Sequence, residues 1–405
     1  MDDLRRERLA AQSLYRPGPV SVPELVGRLL AVQAQDVAAA ALAFRARSTA
    51  LTRADVESAH QDRSIVRAWG PRGTLHYVLP EDLGWLTSLS GPALARQAVR
   101  RIGQEGVSGS PEALLAAVTR ALEGQGPLTK AELGERLASR GVPATGQAIV
   151  HLAALAAAHG LAVLGPGRRP DGARGPAAPA PGTGSSGRGG APGAGKPTYV
   201  HAADWLGAPV LSPFDRDRSL AELARRYLRA HAPATPADLA AWSGLPLGDA
   251  RIGWRLIAGS LEQAPGGGWR LRGSGPGPGP GSEPGSESGP GLGPEPGPAP
   301  YAVRLLPAFD EYLLGWHTRS AVLADAHARA VHPGGGVLRS TVLVDGVLRG
   351  TWSLTGARLA VCPFETLPAG AGPLLAAEVE DVARFLGRPL ALAEPGRDAS
   401  PHPGR

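Results

Sequence analysis

The sequence predicts an α+β fold, predominantly helical, in which three tandem winged-helix modules precede a C-terminal β-containing unit. Three observations carry that expectation: a repeated helix-start pattern, the element order that follows it, and an Asp-Gly hairpin near the C-terminus. The pattern is Thr, then Ala two places on, then an acid, then an apolar residue, and it occurs at Thr52, Thr129 and Thr235. Threonine caps a helix N-terminus well, and an acid three residues later favours the positive end of the helix dipole. The first two threonines are 77 residues apart; the second and third are about 75 apart once a low-complexity segment of roughly 31 residues is set aside.

After Thr129, Leu133 and Leu137 mark one face of a short helix that stops near Gly141. A turn through Pro143 leads to a second helix over 147–159, and Gly160 ends it. A short strand over 161–164 follows, and another strand resumes at 197–201 beyond a Gly, Pro, Ala and Ser stretch. Helix, turn, helix, strand, loop, strand is the order of a winged helix, with the low-complexity stretch as an elongated wing tip. A further copy runs from Thr235 through a helix over 247–258 to the Gly266-Gly267-Gly268 turn and a strand over 269–272. The most compact copy uses helices over 4–13, over 22 to about 32 and from Thr52, then a 70–73 turn and a strand over 74–79. In the C-terminal unit, Asp345-Gly346 between apolar alternations is a strong hairpin signal.

The chain therefore divides into modules at 1–90, 91–207 and 208–272, with a disordered wing insert at about 165–196. A flexible Gly/Pro-rich linker at 273–298, the β-containing unit at 299–392 and a disordered tail at 393–405 complete it. The linker and the insert hold too few apolar groups to offset their ordering entropy.

Composition narrows the chemistry. Hydrophobic residues make up 43% of the chain, enough for real cores, and the net charge is +6 with a pI near 9.9. Almost all the basic charge is arginine, with Lys130 and Lys196 the only lysines. Arginine suits bidentate contact with phosphate and base edges, although a GC-rich genome yields the same bias. Cys362 is the only cysteine, which rules out an intrachain disulfide and argues against a thiolate zinc site. The charged N-terminus lacks a signal core and no apolar run is long enough to span a bilayer, so the expectation is a cytoplasmic protein without a membrane partner. There is no Walker loop, metalloprotease helix, nucleophile elbow or paired-cysteine pattern, and no cofactor or metal is expected.

Four stretches offer polar groups in suggestive places. Gln33-Ala34-Gln35 directly follows an apolar helix; in an extended chain both amides project to one side and can hold water or a base edge, or simply be solvated. Arg72, Thr74 and His76 cluster at a turn and strand, where they could contact phosphate or serve the fold. Asp310 and Glu311 could supply a general base or cap a helix, with Arg319 following closely. The fourth is the hairpin itself, bearing Arg349 and Trp352.

In that order, the 33–35 tripeptide, the 72–76 run, the 307–316 block and the 344–352 hairpin resemble the winged-helix DNA glycosylase family typified by AlkZ and YcaQ. The resemblance implies a channel for duplex DNA and hydrolysis of the N-glycosidic bond of alkylated purines, N7-alkylguanine above all, in repair or self-resistance, including interstrand crosslinks. It places the catalytic pair on Gln33 and Gln35, with Asp36 pointing away, and implies a monomer acting on double-stranded DNA. Arg72, Thr74, His76, Arg319, Arg349 and Trp352 are the candidate DNA contacts. N7 alkylation makes guanine cationic, so the base leaves without an acid, and two amides suffice to place water against an oxocarbenium-like sugar. A non-enzymatic winged-helix regulator is the alternative; it would select sequence where a glycosylase selects a lesion.

Overall fold

Helix starts follow local chemistry. Thr52, Thr129 and Thr235 each cap a helix with the hydroxyl accepting the backbone N–H of Asp55, Glu132 or Asp238, while that acid accepts the threonine's own N–H. These capping boxes open Arg53–Gln61, Lys130–Ala138 and Pro236–Ser243. A fourth, Ser21 with Glu24, opens Val22–Leu29 outside the repeat pattern. That helix was expected to reach residue 32 but ends at Leu29, because Leu30 takes φ 70° and turns the chain into a strand.

The computed structural model describes residues 3–15, 17–168, 195–211, 214–274 and 302–393. Among them are fifteen α-helices and thirteen strands in an α+β arrangement, the class the sequence predicts. The strands are β1 (Val32–Gln33), β2 (Val66–Trp69), β3 (Leu75–Val78), β4 (Leu128–Thr129), β5 (Ala162–Arg168) and β6 (Lys196–His201). There follow β7 (Leu261–Gln263), β8 (Trp269–Leu271), β9 (Val303–Leu306), β10 (Thr341–Val344), β11 (Val347–Thr355), β12 (Arg358–Pro363) and β13 (Ala391–Leu392).

The first six form one sheet in the order β1–β3–β2–β5–β6–β4, joined across its middle where Arg67 on β2 pairs with Leu164 on β5. The two N-terminal modules read from the sequence thus share a single sheet. Strands β7 and β8 make a separate hairpin beside the helices Arg216–His231, Pro236–Ser243 and Leu247–Leu256. The last five strands form a sheet in the order β13–β12–β11–β10–β9, and β10 turns into β11 through Asp345 (φ 49°) and Gly346 (φ 79°). Two left-handed residues in succession are what an Asp-Gly hairpin turn requires.

The expected wing insert is narrower than 165–196, because β5 continues to Arg168 and β6 begins at Lys196; its remaining residues, 169–194, lie outside those described. Residues 275–298 of the expected linker and 394–405 of the expected tail also lie outside them.

Packing ties the C-terminal unit to the rest. One core joins Tyr227, Trp242 and Trp254 of the helical group to Leu306 at the end of β9 and to Tyr312 and Trp316 beyond it. Two buried arginines reinforce the join. Arg45 donates to Glu378, Asp381 and the Leu305 carbonyl, and Arg47 grips Asp310 through two hydrogen bonds of 2.8 Å. Among the described residues no helix is long and apolar enough to cross a membrane.

Candidate active site

Strand β1 is only two residues long, and it delivers the glutamine segment to the edge of the six-stranded sheet. Gln33 pairs with His76 of β3, and the next residue, Ala34, donates to the Leu75 carbonyl at 2.7 Å. Arg67 on β2 is buried beneath this segment and donates to the carbonyls of Ala34 (2.9 Å) and Gln35 (3.4 Å). The backbone of the tripeptide is therefore fixed from two sides.

The side chains are fixed too. Gln33 is half-buried, and its Oε1 accepts from Arg72 at 3.0 Å. Gln35 is exposed, and its Oε1 accepts the Leu75 N–H at 3.2 Å. Both donors can only donate, so the oxygens of both amides are assigned by chemistry and both NH2 groups are turned elsewhere. Asp36 caps the helix Val37–Arg45 through Ala38 and Ala39, which occupies it away from the pair.

Arg72 reaches Gln33 because the 70–73 turn throws it outward. Its backbone is left-handed (φ 57°), an unusual state for a non-glycine residue, and Gly73 follows at φ 69°. The guanidinium also donates to the carbonyl of Trp242, at the end of helix Pro236–Ser243. Burial lowers the Arg72 pKa from its ordinary value, and the Glu311 carboxylate close by offsets part of that. Gly244, itself left-handed at φ 76°, lets that helix end approach: a Cβ there would stand 3.0 Å from the Arg72 Cα. Gly244→Ala is accordingly expected to lower stability by about 1–2 kcal/mol from the backbone conformation alone. Urea denaturation checks this, and an unchanged midpoint would contradict the left-handed conformation of Gly244.

Glu311 forms the floor. It is buried, and its two oxygens accept the Gln33 N–H and the Trp242 indole N–H, each at 3.0 Å. Burial raises its pKa, while the Arg72 charge opposes the rise. Burial first, and then the charge of Arg72, lowers the Arg319 pKa. Among the described residues no group of three or more His, Cys, Asp and Glu is placed to hold a metal ion.

The structure brings together Gln33, Gln35, Arg72 and Thr74 from the sequence candidates, although Thr74 spends its hydroxyl on the Pro71 carbonyl; Arg319 feels the charge of Arg72 but donates to the Leu313 carbonyl. Two candidate DNA contacts need correction. His76 is 0% exposed, because β3 is covered on both faces rather than one, and burial followed by the Arg72 charge pushes its pKa down to about 3. A neutral, enclosed imidazole does not meet a phosphate. Trp352 is likewise buried, with its indole donating to the Leu306 carbonyl at 2.8 Å, so it belongs to the C-terminal core. Arg349 is half-buried on β11. Sequence reasoning missed Arg67 and Trp242: a strand arginine and a helix-end tryptophan carry no local mark of what they will touch.

Comparisons with known proteins identify the family. The model of the "DNA glycosylase AlkZ-like" family matches residues 26–385. An interstrand DNA cross-link repair glycosylase of Streptomyces sahachiroi is 28% identical over 389 residues, covering 92% of this chain and 93% of that protein. The solved structure of the Streptomyces sahachiroi DNA glycosylase AlkZ superposes with a TM-score of 0.69 at 24% identity, over 96% of this chain and 98% of that one, a likeness of fold. With the family model spanning most of its length, the chain belongs to the AlkZ-like DNA glycosylases, hydrolases of DNA repair.

Proposed function

We propose that this glycosylase hydrolyses the N-glycosidic bond of alkylated purines in duplex DNA, N7-alkylguanine first, with Gln33 and Gln35 as its catalytic pair and without a metal. The observation that carries the reading is the state of the neighbouring acids. Glu311 has both oxygens occupied, and Asp36 is engaged as a helix cap. The side chains of the tripeptide itself are amides, which neither donate nor accept a proton in full, while the exposed Asp36 is committed through one oxygen to its helix. Such a site suits a bond that is already weak. A cationic base departs without protonation, and what remains is to hold a water against the sugar and to stabilise charge with fixed dipoles.

The expected wrapping surface is three winged-helix modules in one monomer. Its support is the element order: helix, helix, helix and hairpin in the third group, with Ala234 bridging Trp269 as a third short strand. Arg319 and Arg349 remain the candidate phosphate contacts, and Thr74 the candidate contact at the turn. Purines crosslinked through N7 present the same cationic leaving base, so they fall within the proposed range; the Streptomyces sahachiroi relative is named for cross-link repair.

A duplex carrying a single N7-methylguanine, incubated with the enzyme and then cleaved by alkali at abasic sites, tests the reading. Gln35→Ala should reduce single-turnover release by about 100-fold, the order seen when one oriented dipole is lost, with duplex binding retained. No release by the wild-type protein, or undiminished release by the Gln33→Ala/Gln35→Ala double variant, would reject it.

A further inference from the structure

The four hydrogen bonds around Gln33 close into a ring. Its backbone N–H donates to Glu311, whose other oxygen accepts from the Trp242 indole; the Trp242 carbonyl accepts from Arg72, which returns to the Gln33 side-chain oxygen. Three distant parts of the chain thus converge on one amide: the 70–73 turn, the end of helix Pro236–Ser243 and the short helix Glu311–Leu314. Ordinary packing does not require this much fixing of a half-buried glutamine.

The two amides of the pair are not held alike. Gln33 Oε1 accepts from a charged guanidinium at 3.0 Å, whereas Gln35 Oε1 accepts from a neutral backbone N–H at 3.2 Å. A charge-assisted bond draws electron density from the carbonyl, which weakens that oxygen as an acceptor and strengthens the NH2 as a donor. Gln35, exposed and weakly engaged, keeps a free lone pair.

We propose that the pair divides its work: Gln33 acts as a hydrogen-bond donor to the nucleotide being cut, with Arg72 and Glu311 as its positioning residues, and Gln35 supplies the oxygen that holds the attacking water. The bond bookkeeping is simple. The C1′–N9 electron pair leaves with the purine and neutralises its N7 cation, the water oxygen bonds to C1′, and the water's proton passes to solvent. Arg72 is thereby removed from the candidate DNA contacts, since its guanidinium serves Gln33 and Trp242. The assignment rests on the proposed catalytic role of the glutamines.

Glutamate substitutions separate the two roles, because glutamate keeps an oxygen and deletes the NH2. On the N7-methylguanine duplex, Gln33→Glu should be no faster than Gln33→Ala, within about threefold, while Gln35→Glu should outpace Gln35→Ala by about tenfold or more. Arg72→Gln should lower the saturated single-turnover rate by about tenfold or more with duplex affinity and its salt dependence little changed. A phosphate contact would do the reverse. Rescue by glutamate at position 33, failure of rescue at 35, or an Arg72→Gln variant that loses affinity but not rate, would overturn the assignment. Wild-type rates for both alanine variants would instead reject the catalytic pair itself. Because Arg72→Gln leaves residue 33 unchanged, it keeps the test open if Gln33→Glu fails to fold.

Discussion

Arg47→Met is expected to destabilise the protein by about 3–5 kcal/mol, a large part of the total stability of a typical domain. Both side chains of the Arg47–Asp310 pair are 0% exposed, and two 2.8 Å hydrogen bonds hold it across the join. Arg47 also donates to Gln12 Oε1 at 2.9 Å and to the Ala43 carbonyl at 3.0 Å. Methionine fills the space but leaves the Asp310 carboxylate enclosed without its counter-charge, which is far costlier than the pair's net contribution. Asp310 further caps the short helix that begins at Glu311, donating nothing but accepting the Tyr312 N–H at 2.9 Å. Disturbing it should therefore reach Gln33 through Glu311, and base release should fall along with stability. Urea denaturation gives the first quantity and the alkali-cleavage assay the second; a loss below about 1 kcal/mol would mean that the pair is not isolated from water as the burial indicates.

Acid should be nearly as damaging. His60 is pushed down to about 4, and His76 and His231 to about 3, in each case first by burial. Their rings stay neutral, each with one nitrogen on a carbonyl: His60 on Leu164, His76 on Thr74 and His231 on Tyr227. The remaining nitrogens of His76 and His231 are enclosed without a partner, so a second proton there would be a buried, unpaired charge. In the unfolded chain all three protonate near 6.5, their ordinary value. Between that value and 3–4 the unfolded state binds more protons, so stability is full above about pH 6.5 and is lost as pH falls. At about pH 5.5 each histidine costs about 1.4 kcal/mol, and the three together about 4 kcal/mol. Glu311, raised by burial, acts in the opposite direction, but one carboxyl does not offset three imidazoles. Urea midpoints should hold from about pH 8 to about pH 7 and then drop toward about pH 5.5; a profile flat throughout would show that these rings are hydrated in the fold.

Much of the architecture was legible because it depends on neighbours in sequence. Thr52, Thr129 and Thr235 find their acids three residues on, within one helical turn, so the capping boxes are visible as a spacing. The hairpin at Asp345-Gly346 is equally local, since the turn residues themselves supply the backbone angles. The enclosure of His76 was not legible in this way. A strand presents alternate residues to water only when one of its faces is exposed, and both faces of Leu75–Val78 are covered.

By itself, then, the sequence determined the helix starts, the repeat, the hairpin, the α+β class and the resemblance that pointed to Gln33 and Gln35. Tertiary structure alone decided what those glutamines touch. Gln33 and Glu311 are separated by 278 residues, and Arg72 and Trp242 by 170. No periodicity or spacing spans such distances; only the packing of the helical group and the C-terminal unit against the first sheet brings the four residues into one ring.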